Sequence, residues 1–162
     1  MASLDGLRAD VREAAVRLVQ DARAAGVPVV VASTTRTPAE QDRLCRTGYS
    51  RLCGDTSAHT MGLAFDVALL DSGGRPAWPT DDAGLARWER VGALGEALGL
   101  VWGGRWRSPD WPHFQARDAQ KKVNARIAGG ASWRALALAL GAAAVAWAIL
   151  RGPRRARRAR SR

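Results

Sequence analysis

Two histidines, the only ones in the chain, each lie close to an aspartate in the sequence. His59 precedes Asp66 by seven positions, and His113 follows Asp110 by three. Two neutral imidazoles and one carboxylate make a three-ligand zinc set whose fourth position stays open for water. A further carboxylate nearby can act as a general base. The pattern therefore predicts a metal-dependent hydrolase with Zn2+ as its cofactor.

The spacing of His59 and Asp66 is a weak signal by itself, because a single buried histidine is more often structural than a ligand. The local sequence strengthens it. Gly62 permits a close approach of backbone, and Ala64 leaves room beside Asp66 on the same face of a predicted strand. Pro112 favours extended backbone before it, so the segment that carries His113 is predicted as loop and strand, not helix.

The elements that must position these residues follow from hydrophobic periodicity and helix caps. Helices are predicted over residues 3–25, over residues 38–46, and from Thr80 onwards with a buried stripe. That stripe consists of Leu85, Trp88, Val91, Leu94 and Leu98. Thr37-Pro38-Ala39-Glu40 is a capping box with proline at the first helical position. Strands are predicted over residues 27–32, 63–70, 101–102 and 113–115. Because these elements do not alternate as regular β-α-β units, the sequence predicts an α+β fold.

Charge is concentrated at one end of the chain. The 162 residues carry a formal net charge of +10. Residues 151–162 hold seven arginines and no acid, so the preceding 150 residues sum to +3 (10 minus 7). The basic character belongs mainly to this tail, and binding of nucleic acid is not expected of the folded domain.

Cys45 and Cys53 are the only cysteines. They could pair in an oxidising compartment, or they could be two small, half-buried hydrophobic side chains, which is the interpretation that the sequence favours. Residues 1–10 contain acids and lack an apolar run, so no secretory signal peptide is expected.

Three ordered segments resemble one family. Residues 57–66 resemble the S-x-H-x-x-G-x-A-x-D signature of the zinc peptidases that cut peptidoglycan stem peptides, a family of D-Ala-D-Ala carboxypeptidases and L-alanyl-D-glutamate endopeptidases. Residues 102–106 with 110–115 look most like the endopeptidase branch found in phage lysins. Residues 33–37, with Glu40, Gln41 and Leu44, resemble the family's upstream arginine motif. Together the matches cover about residues 26–117.

The resemblance implies a role for each matching residue. His59, Asp66 and His113 would bind zinc, and Asp110 would be the catalytic base. Arg36 would face the substrate carbonyl or a carboxylate, while Ser57, and Gln41 of the arginine motif, would support the site. The implied fold is a small antiparallel sheet with flanking helices, and the implied partner is a peptidoglycan stem peptide.

Two positions depart from the endopeptidase pattern. Arg105 stands where an acid is common, and Cys45 stands where an aromatic residue is common. Arg105 is expected to reverse a charge near the cleft. An L-Ala–D-Glu-type endopeptidase is the first expectation. A D-Ala-D-Ala carboxypeptidase and a non-catalytic zinc-binding module stay open as alternatives, as does a membrane-permeabilising protein with a degenerate domain.

The C-terminal part of the chain has another character. Residues 135–150 are sixteen positions without a polar side chain, with Trp133 and Trp147 near the ends as interfacial anchors would be. We expect a zinc peptidase domain over residues 1–128, a hydrophobic helix over residues 129–150 and an arginine-rich tail over residues 151–162. The helix is predicted to associate with a membrane in preference to packing as an alanine-rich soluble helix. The protein is therefore expected to be membrane-associated and cell-wall-facing, or phage-encoded.

Overall fold

The computed structural model describes residues 2–130, and all that follows concerns these residues. The candidate site lies within Met1–Arg126, the first of the two units into which the chain divides. The elements in chain order are α1 (Ala9–Ala24), β1 (Val29–Ser33), α2 (Pro38–Arg46), β2 (Ala64–Leu70), β3 (Pro76–Ala77), α3 (Asp82–Ala97), β4 (Leu100–Trp102) and β5 (His113–Ala116). Single 3-10 turns cover His59–Met61 and Gly103–Arg105, and residues 119–130 are helical.

The strands form one antiparallel sheet in the order β1-β2-β5-β4, and the short strand β3 pairs with β2. The register places Asp66 of β2 opposite His113 of β5. A bulge between Val31 and Ser33 sets Ser33 of β1 opposite Asp66 on the other side. The predicted α+β fold with a small antiparallel sheet and flanking helices is confirmed.

The core lies between the sheet and two helices. Helix α1 packs on α3 and β1, and α3 packs on β4. The largest fully buried side chains of the core include Leu18 and Trp88 of the two helices and Phe65, Trp102 and Phe114 of the sheet. Phe65 and Phe114, the strand neighbours of Asp66 and His113, are fully buried in this core and so anchor the end of the sheet that carries the two residues.

The buried stripe of α3 differs from the prediction. Trp88 and Val91 are buried as expected, but the three leucines of the predicted stripe are only half-buried. Gly92 and Gly95 lie on the buried face instead, where a Cβ on Gly92 would overlap the Trp102 ring. The helix approaches the sheet too closely for larger side chains at these two positions.

Helix α1 begins at Ala9, so the predicted start at residue 3 is wrong. The preceding segment is held by backbone hydrogen bonds from Ala2 to Val31 and from Arg8 to Gly62, at 3.1 and 2.9 Å. These bonds extend the segment along β1 and the turn before β2, and a helix could not make them. Leu7 is nevertheless buried, which explains why its spacing suggested helix.

Cys45 and Cys53 form a disulfide, and their Cα atoms lie 5.3 Å apart. The interpretation as two unpaired hydrophobic side chains is therefore wrong. The bond ties the last turn of α2 to the loop that leads to His59. The Asp42 carboxylate supports the same loop by accepting a hydrogen bond from Gly54 N at 2.7 Å.

The predicted hydrophobic helix over residues 129–150 and the tail over residues 151–162 lie outside the described residues, apart from positions 129 and 130. Within residues 2–130, no helix combines the length and the hydropathy that crossing a membrane requires.

Candidate metal centre

Three different elements bring His59, Asp66 and His113 together. His59 opens the 3-10 turn before β2, and this turn ends at Gly62, whose φ of 65° is readily available to glycine. Asp66 is the third residue of β2, and His113 is the first residue of β5, its direct partner in the sheet. Sheet pairing thus fixes two of the side chains, and the turn delivers the third.

The three donor atoms form a nearly equilateral triangle. Asp66 Oδ1 lies 3.1 Å from His113 Nδ1 and 3.3 Å from His59 Nε2. The two imidazole nitrogens are 3.3 Å apart. Tetrahedral coordination with bonds of about 2.0–2.1 Å separates neighbouring ligand atoms by about 3.3 Å. The triangle therefore has the size of one face of a tetrahedral zinc site, whose fourth position is left for another ligand.

The imidazole of His59 is oriented by a backbone carbonyl. Its Nδ1 lies 2.6 Å from Thr34 O, and because a carbonyl can only accept, Nδ1 must carry the proton. The Nε2 lone pair then points at the triangle. Such a hydrogen bond on the outer nitrogen is what holds metal-binding histidines in one tautomer.

His113 is oriented in the same manner by a side chain. Its Nε2 lies 3.1 Å from Gln115 Oε1, so Nε2 donates and Nδ1 presents its lone pair to the other two ligands. Gln115 is buried and lies two residues along β5, on the same face as His113. In both histidines the outer nitrogen is thus the donor, which leaves the inner nitrogen's lone pair facing a common point.

Arg36 holds the other oxygen of Asp66. Its Nη2 donates to Asp66 Oδ2 at 2.6 Å, and the guanidinium also lies 3.4 Å from both Ser33 Oγ and Gln41 Oε1. Burial raises the pKa of Asp66, but the facing imidazoles of His113 and His59 donate to the carboxylate when they are protonated, and this outweighs burial and holds the pKa far below its ordinary value. The carboxylate is thus charged and fixed, as a metal ligand must be.

Asp110 lies beside the triangle without joining it. Its backbone accepts from His113 N at 3.1 Å and donates to Gly103 O at 3.0 Å, which forms a tight turn before β5. Burial raises the pKa of the Asp110 carboxyl, and the charge of Asp66 adds to the rise. Among the described residues this carboxylate has no hydrogen-bond partner, so it is available to accept a proton.

The two predicted supporting residues also lie next to the centre. Ser57 Oγ accepts from His59 N at 3.2 Å and so stabilises the start of the turn. Gln41 is fully buried, and its amide donates to Ser50 Oγ and to Leu52 O, both at 2.7 Å. Gln41 thereby connects Arg36 to the loop that the disulfide also holds.

Arg105 does not reverse a charge in the cleft, contrary to the expectation from sequence. Its guanidinium pairs with Glu89 at 2.8 Å and Glu96 at 3.2 Å on helix α3, and it lies over the ring of Trp102. The carboxylates of α3 neutralise it. The neighbouring Trp106 lies beside the candidate metal centre. Its ring is 5.0 Å from that of His113, and 37% of its surface is exposed.

Two contacts at the centre were not foreseen. The Thr34 carbonyl has no signature in the sequence, since any residue type supplies the same atom. Gln115 did carry a signal, because a position two residues after a ligand on a strand shares the ligand's face. Gln115 lies within the segment that resembles the family, but the resemblance implies no role for it.

Comparison with known proteins agrees with this geometry. Residues 53–116 match a family described as D-alanyl-D-alanine carboxypeptidase. The chain is 34% identical over 104 residues to the peptidoglycan L-alanyl-D-glutamate endopeptidase CwlK of Bacillus subtilis (strain 168). This match covers 56% of the chain and 61% of CwlK, so the chain spans less than two thirds of that relative.

Solved structures give the same result. The Serratia marcescens L-Ala D-Glu endopeptidase ChiX aligns with a TM-score of 0.58 and 26% identity, over 74% of this chain and 86% of that one. The vancomycin resistance D,D-pentapeptidase VanY, in complex with Zn(II), aligns with a TM-score of 0.52 over 73% of this chain and 78% of its own. At 19% identity, this second likeness concerns the fold alone. The resemblance predicted from the motifs is confirmed.

Proposed function

We propose that this protein is a zinc-dependent peptidase that hydrolyses peptidoglycan stem peptides at an L-Ala–D-Glu-type bond. The observation that carries the proposal is the triangle of His59 Nε2, His113 Nδ1 and Asp66 Oδ1, with sides of 3.1 to 3.3 Å. A structural zinc site has four protein ligands, whereas three ligands with an open position are typical of a catalytic one.

The donor set suits zinc. Two imidazole nitrogens and one carboxylate oxygen are ligands that Zn²⁺ accepts. Each ligand is held by a further hydrogen bond, since the two histidines donate to Thr34 O and Gln115 Oε1 and Asp66 accepts from Arg36. When bound here, zinc supplies Lewis acidity and makes water nucleophilic at neutral pH.

Asp110 and Arg36 supply the remaining chemistry. The free carboxylate of Asp110 takes the proton from the attacking water and passes it to the leaving amine. Burial raises the pKa of Asp110 and so brings this pKa nearer to the pH at which a general base works best. Arg36 fixes Asp66, and its positive charge near the scissile carbonyl would stabilise the developing oxyanion.

Two of the relatives described above support this choice of bond. CwlK and ChiX, at 34% and 26% identity, are both named as endopeptidases for the bond between L-alanine and D-glutamate. The matching family model is described as a carboxypeptidase, which keeps cleavage of D-Ala-D-Ala as the second candidate. Mass spectrometry of digested muropeptides separates them, because loss of one terminal alanine indicates the carboxypeptidase.

The decisive experiment combines metal analysis with digestion of purified muropeptides. The full chain should contain one zinc and cleave the stem peptide. A chelator should abolish cleavage, and added zinc should restore it. His113→Ala should lose both the metal and the activity. A protein that binds zinc but cleaves no muropeptide would instead be a non-catalytic binding module.

The C-terminal segment forms a separate part of the proposal. An apolar run over residues 135–150 followed by seven arginines supports association with an anionic membrane. The full chain should sediment with vesicles that contain anionic lipid, and a chain truncated after Gly130 should not. Equal sedimentation of both proteins would argue against a membrane role for this segment.

A further inference from the structure

A groove of about 270 Å³ opens between the end of β1 and helix α2. Its lining includes Ser33, Thr34, Thr35, Arg36, Glu40 and Arg43. It is hydrophilic, with two guanidinium groups and several hydroxyls on its walls. Of the two guanidinium groups, that of Arg43 takes no part in the proposed chemistry.

The groove adjoins the candidate metal centre directly. The Thr34 carbonyl accepts from His59 Nδ1 at 2.6 Å, and Arg36 donates to Asp66 at the same distance. Two residues of its lining therefore contact two of the three candidate ligands. A peptide bound for hydrolysis at the centre would extend a neighbouring residue into this groove.

The charged side chains of the groove differ in whether they already have partners. Arg36 is paired with Asp66. The Glu40 carboxylate accepts from Thr37 N and Oγ1, at 2.7 and 2.9 Å, and so belongs to the cap of α2. Arg43 is exposed, and its guanidinium has neither a hydrogen bond nor a close ion pair among the described residues, although its charge helps to lower the pKa of Glu40. It is the cation available to a ligand.

We propose that this groove binds the free carboxylate of the D-glutamate residue in the substrate, with Arg43 as the residue that recognises it. The inference depends on the proposed function for the position of the substrate. D-Glutamate has two carboxyl groups, and only one of them continues the peptide chain. The other is an anion on the residue that supplies the amine of the bond to be cut.

The chemistry of the lining matches this anion. A guanidinium donates two parallel hydrogen bonds to a carboxylate, which a carboxamide cannot accept in the same way. The hydroxyls of Ser33 and Thr35 can donate further bonds to the same group. Arg43 therefore distinguishes a substrate with free glutamate from one in which this carboxyl is amidated.

The test measures binding, so that it does not depend on turnover. The full chain carrying Asp110→Asn, with zinc present, is titrated calorimetrically with two synthetic stem peptides. The peptides are identical except that the free carboxyl of D-glutamate is a carboxamide in one. The same titrations are made with Arg43→Gln added. Arg46→Gln serves as the matched control, because Arg46 is an exposed arginine of the same helix outside the groove.

The parent should bind the carboxylate peptide roughly 10- to 100-fold more tightly than the carboxamide peptide, as expected for a charge-assisted hydrogen bond. Arg43→Gln should remove most of this preference without weakening the carboxamide peptide, and Arg46→Gln should keep it. A parent without preference, or one that binds neither peptide, would overturn the inference. So would an Arg43→Gln protein that keeps the preference.

Hydrolysis by the unmodified chain is measured in parallel and tests the proposed function separately. If neither peptide is cut but the preference depends on Arg43, the groove is confirmed as a carboxylate-binding site and the proposed peptidase activity fails. If both peptides are cut equally well and bound equally well, the activity stands and the role of Arg43 is refuted.

Discussion

Arg36 holds one oxygen of Asp66 while the other oxygen faces the two histidines. The Nη2–Oδ2 distance is 2.6 Å, and Oδ1 lies 3.1 Å from His113 Nδ1 and 3.3 Å from His59 Nε2. The guanidinium therefore fixes the rotation of the carboxylate about its last bond. Arg36 acts on the metal centre through a ligand, in addition to any contact with substrate.

This geometry predicts that Arg36→Ala weakens zinc binding. The affinity should fall by roughly 10- to 100-fold, which is typical for loss of a group that orients a ligand. Arg36→Lys should retain part of the affinity, because lysine keeps the charge but not the planar fork. Competition against a chromophoric chelator measures this, with Arg46→Ala as control. Unchanged zinc affinity with lost hydrolysis would assign Arg36 to the substrate alone.

Asp110 should be needed for turnover and not for the metal. Asp110→Asn removes the proton acceptor while it preserves size, so kcat should fall by about 10²- to 10⁴-fold. The zinc content should stay at that of the unmodified chain. Asp82→Asn, at an exposed aspartate in the first turn of α3, provides the control. Retained activity would exclude Asp110 as the base.

The disulfide should contribute measurably to stability. Closing a short loop between Cys45 and Cys53 is expected to stabilise the fold by about 2–3 kcal/mol, through the lower entropy of the unfolded chain. Urea unfolding with and without reductant measures the difference. A variant with serine at both positions should match the reduced protein and show no response to reductant. An oxidised protein no more stable than this variant would contradict the prediction.

Gly92 should tolerate no side chain. A methyl group there would overlap the Trp102 ring, so Gly92→Ala should destabilise the protein by about 1–3 kcal/mol despite the higher helix propensity of alanine. Gly129→Ala is the matched control, since its Cβ would meet no atom within 4 Å and the position is helical. Thermal unfolding of both variants checks this, and equal melting temperatures would refute the close packing.

Asp118 should make stability depend on acidity. Hydrogen bonds from Arg8 and Lys122 lower the pKa of Asp118 to about 2. Because the folded state lowers this pKa, the contribution is complete above the unfolded pKa of about 4 and is lost as the pH falls toward 2. Urea unfolding of the unmodified chain and of Asp118→Asn should therefore differ at neutral pH and converge in acid. A constant difference would contradict this origin.

The sequence by itself determined the chemistry and the local structure of the site. The residue types at positions 59, 66 and 113 specify a zinc-compatible donor set, because imidazole and carboxylate are what the metal accepts. The bounds of α2, Pro38–Arg46, were predicted correctly, since the capping box acts between residues three apart. The start of α1 was not, because its preceding segment is held by bonds to β1 and the Gly62 turn.

Only the tertiary structure decided how these residues meet. The register that sets Asp66 opposite His113 joins positions 47 residues apart, and the Thr34 carbonyl that orients His59 is an atom common to every residue type. Arg105 pairs with carboxylates of α3, and Arg36 pairs with Asp66, because the fold places these anions next to the two guanidinium groups. Contacts between residues so far apart in the sequence depend on packing and strand pairing, for which local sequence patterns carry no signal.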